Sequence, residues 1–126
     1  MVVFASLVVV CAVTFAIIKH PPSMQRKMRY DSLRIADLNR VESEVNHYWT
    51  DHKKLPDSLS SFCKACTDYQ DPETGEILVY EKTGDHSYRV CTSFSLGNEE
   101  KLSHYDVEWR HGVGRTCFDK RVNERN

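Results

Sequence analysis

Apolar positions along this chain fall into three patterns, and each predicts a different element. The first is continuous. Val2 to Ile18 reads VVFASLVVVCAVTFAII, with no charge, proline or glycine, and predicts a transmembrane helix at the short end of what spans a bilayer. Only a helix satisfies its own backbone in hydrocarbon. Ser6, Cys11 and Thr14 are small enough to pack there or to bond back to the preceding turn. The second pattern is periodic. From Met24 to about Asp51 there is no Gly or Pro, and Leu38, Val41, Val45 and Tyr48 with Trp49 recur three and four residues apart, which predicts one buried stripe on a long amphipathic helix. Asp31, Arg34, Asp37, Arg40 and Glu44 fall largely off that stripe. The third pattern is β-rich. ILVYEK (Ile77 to Lys82) and YRVCTSF (Tyr88 to Phe94) are separated by Thr83-Gly84-Asp85-His86-Ser87, which is hairpin chemistry. A weaker run, YDVEWRH (Tyr105 to His111), leads through Gly112 and Gly114 to RTCFDKRV, read as a final strand.

Punctuation between the patterns supports this division. Pro21 and Pro22 mark a joint after the apolar segment, and Ser23 is a plausible N-cap for the second helix. In LPDSLSSF, Pro56 closes one segment, and Asp57 or Ser58 can cap a short helical turn carrying Leu59 and Phe62. Asp71 to Gly75, DPETG, is a turn signature in which Pro72 presets its φ and Gly75 can take a positive one. Leu96-Gly97-Asn98 ends the second strand. The expected fold class is therefore α+β: an N-terminal transmembrane helix, then a long amphipathic helix packed on a small antiparallel sheet of three or four strands. Residues 1–20 form the anchor, 21–29 the joint and helix start, 30–120 the α+β domain and 121–126 a polar tail.

Composition narrows the function classes. A chain of 126 residues suits one domain plus an anchor. With 17 Lys and Arg against 18 Asp and Glu, it has no overall field that would draw nucleic acid. Orientation is contested between two signals. Lys19, Arg26, Lys27 and Arg29 follow the apolar segment, which by the positive-inside rule puts the domain in the cytoplasm; the cysteines argue for the outside, and that is the favoured expectation. A cleaved signal peptide is the bland alternative, but a basic leading region and a small-x-small cleavage site are both missing. The absence of a flank before Val2 suggests a chain that begins abruptly, as a fragment or after another hydrophobic segment.

Five segments in order, DSLRIADLNRVESEVNHYW, KLPDSL, DPETG, YRVCTSF and WRHGVGRTCF, together with the apolar helix before them, give a pattern that resembles type IV pilins and type II secretion pseudopilins. The likeness extends in particular to the major pseudopilin and to small pilin-like bacterial membrane proteins of unassigned role, and covers residues 30 to 118. It implies a pilin-like fold acting through packing, with the membrane and with copies of itself or other pilin-like subunits as partners. Two family features are absent: a Gly before the Phe or Met that opens the apolar helix, and a Glu at the fifth mature position, where this chain has Ala5 followed by Ser6. In the family that carboxylate neutralises a neighbour's terminal amine, so its absence argues against filament assembly. Pro21-Pro22 also interrupts a continuous spine, and no set of carboxylates matches the major pseudopilin's calcium loop.

The chemistry-bearing residues give no catalytic, cofactor or metal assignment and no small-molecule substrate. Cys63, Cys66, Cys91 and Cys117 admit three disulfide connectivities, with Cys11 left in the anchor. Cys91 and Cys117 occupy two predicted strands, and if these are neighbours a bridge between them stabilises by roughly 3 kcal/mol; Cys63–Cys66 is the second candidate. Disulfides require an oxidising compartment. A four-thiolate zinc site is the sharper alternative, weakened because only one CxxC knuckle is present. Redox catalysis at CKAC would need a strand before Cys63, where LSSF reads as helix. His20, His47, His52, His86, His104 and His111 share no motif, and His111 beside Gly112 reads as packing or a local hydrogen bond. Gly112-Val113-Gly114 is a turn rather than a phosphate loop. Trp49, Trp109, Tyr48, Tyr80 and Tyr88 read as core between helix and sheet. The expected function is a membrane-anchored, non-catalytic structural or secretion-accessory protein, the alternative a monomeric extracytoplasmic binding or regulatory domain that has lost assembly.

Overall fold

The computed structural model describes residues 2–19, 21–99 and 107–122, the side chains of 2–4, 16, 17, 19 and 107 excepted. Helix α1 spans Val2–Lys19 and α2 spans Pro22–His52. The break between them is chemical: Pro21 is extended, with φ −61° and ψ 141°, and Pro22 opens α2 at a position whose N–H has no helical partner to lose. Pro21 is therefore the N-cap residue rather than Ser23, and its carbonyl accepts from the Met24 N–H at 3.0 Å. α2 ends at Lys53, which adopts a left-handed conformation with its N–H bonded to the Trp49 carbonyl.

α1 is apolar on every described side, with Leu7, Val8, Val9, Val10, Val13, Phe15 and Ile18 exposed. Thr14 turns its hydroxyl back to the Val10 and Cys11 carbonyls, at 2.9 and 3.0 Å, as expected for a hydroxyl in an apolar helix. Among the described residues no helix is long and apolar enough to cross a membrane. The side chains described in α1 run from Ala5 to Phe15, with Ile18 beyond, a stretch shorter than the about 20 residues a span needs.

Three antiparallel strands make the sheet, in the order β1 (Val79–Lys82), β2 (Ser87–Phe94), β3 (Gly114–Arg121). The hairpin closes where Thr83 and Gly84 donate to the Ser87 carbonyl. β1 begins two residues later than the apolar run, because Ile77 instead forms an isolated bridge with Gln70 beside the DPETG turn. There Gly75 takes φ +75°, and its N–H bonds the Asp71 carbonyl. Of the weaker run, Val107–Trp109 is a single 3-10 turn, while Tyr105 and Asp106 lie outside the described residues, as do His20, His104 and the last four residues of the expected tail. The sheet described is thus the three-stranded form of the three or four expected. Val122, within the stretch read as polar tail, is buried and bonds the His86 carbonyl.

The core lies between α2 and one sheet face. Leu38, Val41 and Val45 are fully buried against Tyr88, Val90 and Phe94, with Leu55, Tyr69, Leu78 and Trp109 completing the cluster. Tyr80 and Trp49 pack at its margin, while Tyr48 stacks on His52 one turn further along α2. Period-two alternation in β2 and β3 places Arg89, Cys91, Ser93, Arg115, Cys117 and Asp119 on the other face.

Candidate functional site

Counting back from Leu38 along the buried stripe, the next positions at spacings of four and three are Arg34 and Asp31. Both are buried, so the expectation that they lie off the stripe is corrected. A charged pair survives there because neighbouring elements supply partners for every branch of it. The Arg34 guanidinium forks onto the Asp71 carboxylate through Nε and Nη2, reaches Glu73 at 2.9 Å through Nη2, and meets Asp31 at 2.7 Å and the Ser95 hydroxyl at 2.8 Å through Nη1. Planar guanidinium geometry suits this two-pronged contact, which an ammonium cannot reproduce.

Both aspartates are held a second time by backbone. Asp31 accepts the N–H groups of Ser95 and Leu96 at 2.9 and 2.7 Å, just where β2 ends. Asp71 accepts those of Glu73 and Thr74 at 2.8 and 2.9 Å, folding the DPETG turn over its own side chain. The Ser95 hydroxyl donates to Glu73 at 2.8 Å and closes the ring. α2, the turn and the end of β2 are thereby joined through one guanidinium. Burial alone would raise the Asp71 carboxyl, but the Arg34 guanidinium and the two backbone donors outweigh it and hold the group down at about 2. Hydrogen bonds from Arg34 and Ser95 likewise lower Glu73, and the Asp71 contact chiefly raises Arg34.

Two recesses flank this clamp. One, of about 30 Å³, lies between Arg34, Asp71, Tyr69, Leu78 and Cys91, room for about a single water. The other, of about 260 Å³, is bounded by Met28, Asp31, Ile35, Leu96, Asn98 and His111. Its polar groups are already engaged: Asp31 by the clamp, and His111 Nδ1 with the Trp109 carbonyl at 2.8 Å while the ring stacks on Phe94 at 3.5 Å. Asn98 brackets the same loop, bonding the Trp109 carbonyl, the His111 N–H and the His111 carbonyl. The arrangement fixes backbone at the DPETG turn and at the end of β2.

The candidate cysteines form two bridges. Cys91 and Cys117 are register partners in β2 and β3, 4.1 Å apart at Cα, and their bridge lies on the sheet face away from α2. Cys63 and Cys66, 5.1 Å apart at Cα, close the loop between the 3-10 turns Leu59–Ser61 and Thr67–Tyr69. The four sulfurs are divided between these bridges. Among the described residues no group of three or more His, Cys, Asp or Glu side chains is placed to hold a metal ion.

Sequence reading found the DPETG turn but missed the clamp built on it. Spacing carried the signal at positions 31 and 34; Ser95, just past a strand, carried none. No family model, curated protein or solved structure matches the chain.

Proposed function

We propose that this chain is a membrane-anchored, non-catalytic pilin- or pseudopilin-like structural or secretion-accessory protein of a bacterial type II secretion kind, its α+β domain held outside the cytoplasm. The observation carrying the reading is the order of parts. An uninterrupted apolar stretch, Val2 to Ile18, is followed by a 31-residue helix whose one buried stripe lies on a three-stranded antiparallel sheet, with the LPDSL and DPETG connections between. A buried network that only fixes backbone favours action by surface contact. Two disulfides favour an oxidising compartment.

A second reading, a monomeric extracytoplasmic binding or regulatory domain that has lost assembly, draws on two features. Val2 to Ile18 contains no carboxylate, and the extended Pro21 breaks the helical spine.

Cross-linking of the full chain in native membranes separates the two. A ladder of oligomers through the apolar helix is the expected result for a structural subunit, and one monomer band moves the assignment to the second reading. Alkylating thiols in intact cells before and after reduction tests the compartment. Four domain cysteines that react only after reduction fit the outside; four that react at once place the domain in the cytoplasm.

A further inference from the structure

The first turns of α2 project from the domain, with Met28 at the rim of the recess that Leu96 and His111 share. Residues 21 to 29 are all exposed, and burial begins in earnest only at Asp31. Residues 1 to 30 contain Lys19, Arg26, Lys27 and Arg29 and no Asp or Glu, so they hold four of the chain's 17 basic residues and none of its 18 acidic ones. The first carboxylate, Asp31, is turned inward onto Arg34, Ser95 and Leu96. It is thus withdrawn from the cations before it. Among the described residues Arg26, Lys27 and Arg29 make no ion pair. Arg26 and Arg29 share a face with Leu33, at spacings of three and four, and Leu33 is 43% exposed; on the opposite side Met24 and Met28 are 39% and 38% exposed.

We infer that this projecting segment is a docking surface for an anionic lipid bilayer, with Arg26 and Arg29 on the phosphate headgroups, Lys27 adding charge from the flank of the helix, and Leu33 reaching the acyl boundary. The inference rests on the anchor reading, because the apolar stretch ends at Ile18 and delivers the segment to the headgroup layer. Charge complementarity decides the occupant: a unit of four cations without an acid meets a negatively charged surface, and basic residues beside a membrane each strengthen such contact about fivefold. Exposed apolar side chains interleaved with the cations fit an interface better than bulk water. The extended Pro21 lets α2 leave the line of α1, so the segment is free to lie along the surface. It also gives the cations that follow the apolar stretch a role on whichever side the domain resides.

The test uses the full chain with Cys11→Ser and Gln25→Cys carrying a bimane label, reconstituted in phosphatidylcholine vesicles or in vesicles with three parts in ten phosphatidylglycerol. Retention after alkaline carbonate reports the anchor; quenching of the label by neutral acrylamide reports the surface contact. Quenching is expected to fall at least threefold in the anionic vesicles, to recover in 0.5 M KCl, and to lose its dependence on lipid in Arg26→Gln/Lys27→Gln/Arg29→Gln with retention unchanged. Equal quenching in both lipids for a retained chain overturns the inference. So does shielding in neutral vesicles that grows with protein density, which assigns the face to a second copy. A chain extracted by carbonate sinks the anchor, while salt-sensitive shielding by phosphatidylglycerol in that chain still supports the contact and its absence overturns it.

Discussion

Arg34 is 3% exposed and surrounded by Asp31, Asp71 and Glu73, so its removal leaves two buried carboxylates facing each other without a cation. Breaking a buried pair from one side costs about 3–5 kcal/mol. Arg34→Met is therefore expected to lower the urea midpoint sharply, and Arg34→Lys to recover only a fraction, because an ammonium cannot fork onto Asp71 while also meeting Ser95. Chemical denaturation of the three forms measures this. pH acts through the same contact. The Asp71 carboxyl is held at about 2 in the folded chain, below its ordinary value of about 3.9 when unfolded, so its stabilising contribution is complete above that ordinary value. It drains away as pH falls from about 4 toward 2, on the order of 2 kcal/mol in all. Stability measured between pH 5 and 2 is expected to fall over that window, and Asp71→Asn to flatten this part of the profile.

At the level of elements, the most legible parts were those in which one period ran without interruption. α2 was expected from Met24 to Asp51 and spans Pro22–His52, since its stripe needs only Leu38, Val41 and Val45 to define a face. β2 and β3 were legible because Val90 and Phe94, like Phe118 opposite Val90, alternate with polar neighbours. The clamp was not legible, because a charged residue on a buried stripe reads as solvated until its partners from distant segments are placed beside it. Asp71 and Ser95 come from loops whose residue types are typical of any turn. In the weaker run, Trp109 is buried among Asn39, Phe118 and Lys120, donating its Nε1–H to the Asn39 side-chain amide oxygen at 2.7 Å, rather than by strand pairing. The two bridges differ in what they constrain. Cys91–Cys117 joins residues 26 apart and Cys63–Cys66 residues 3 apart, so loop entropy predicts about 3.5 and about 2 kcal/mol respectively. Thermal unfolding of Cys91→Ser/Cys117→Ser and of Cys63→Ser/Cys66→Ser is expected to rank them in that order.

As a whole, the domain is one helix laid across one small sheet, with apolar and basic side chains exposed on the front of that helix and apolar ones exposed on the described part of α1. α2 runs about 46 Å at the helical rise, so its front extends beyond the part packed on the sheet. On the anchored reading proposed above, a pull on the domain surface would be felt as tension along the chain, and the cross-strand bridge would then limit its extension. With Cys91 tied to Cys117, the 26-residue span between them is withheld from extension, roughly 90 Å of contour length. Single-molecule stretching from the two termini is expected to give a short final extension under oxidising conditions, and to lengthen by about that amount once the bridge is reduced.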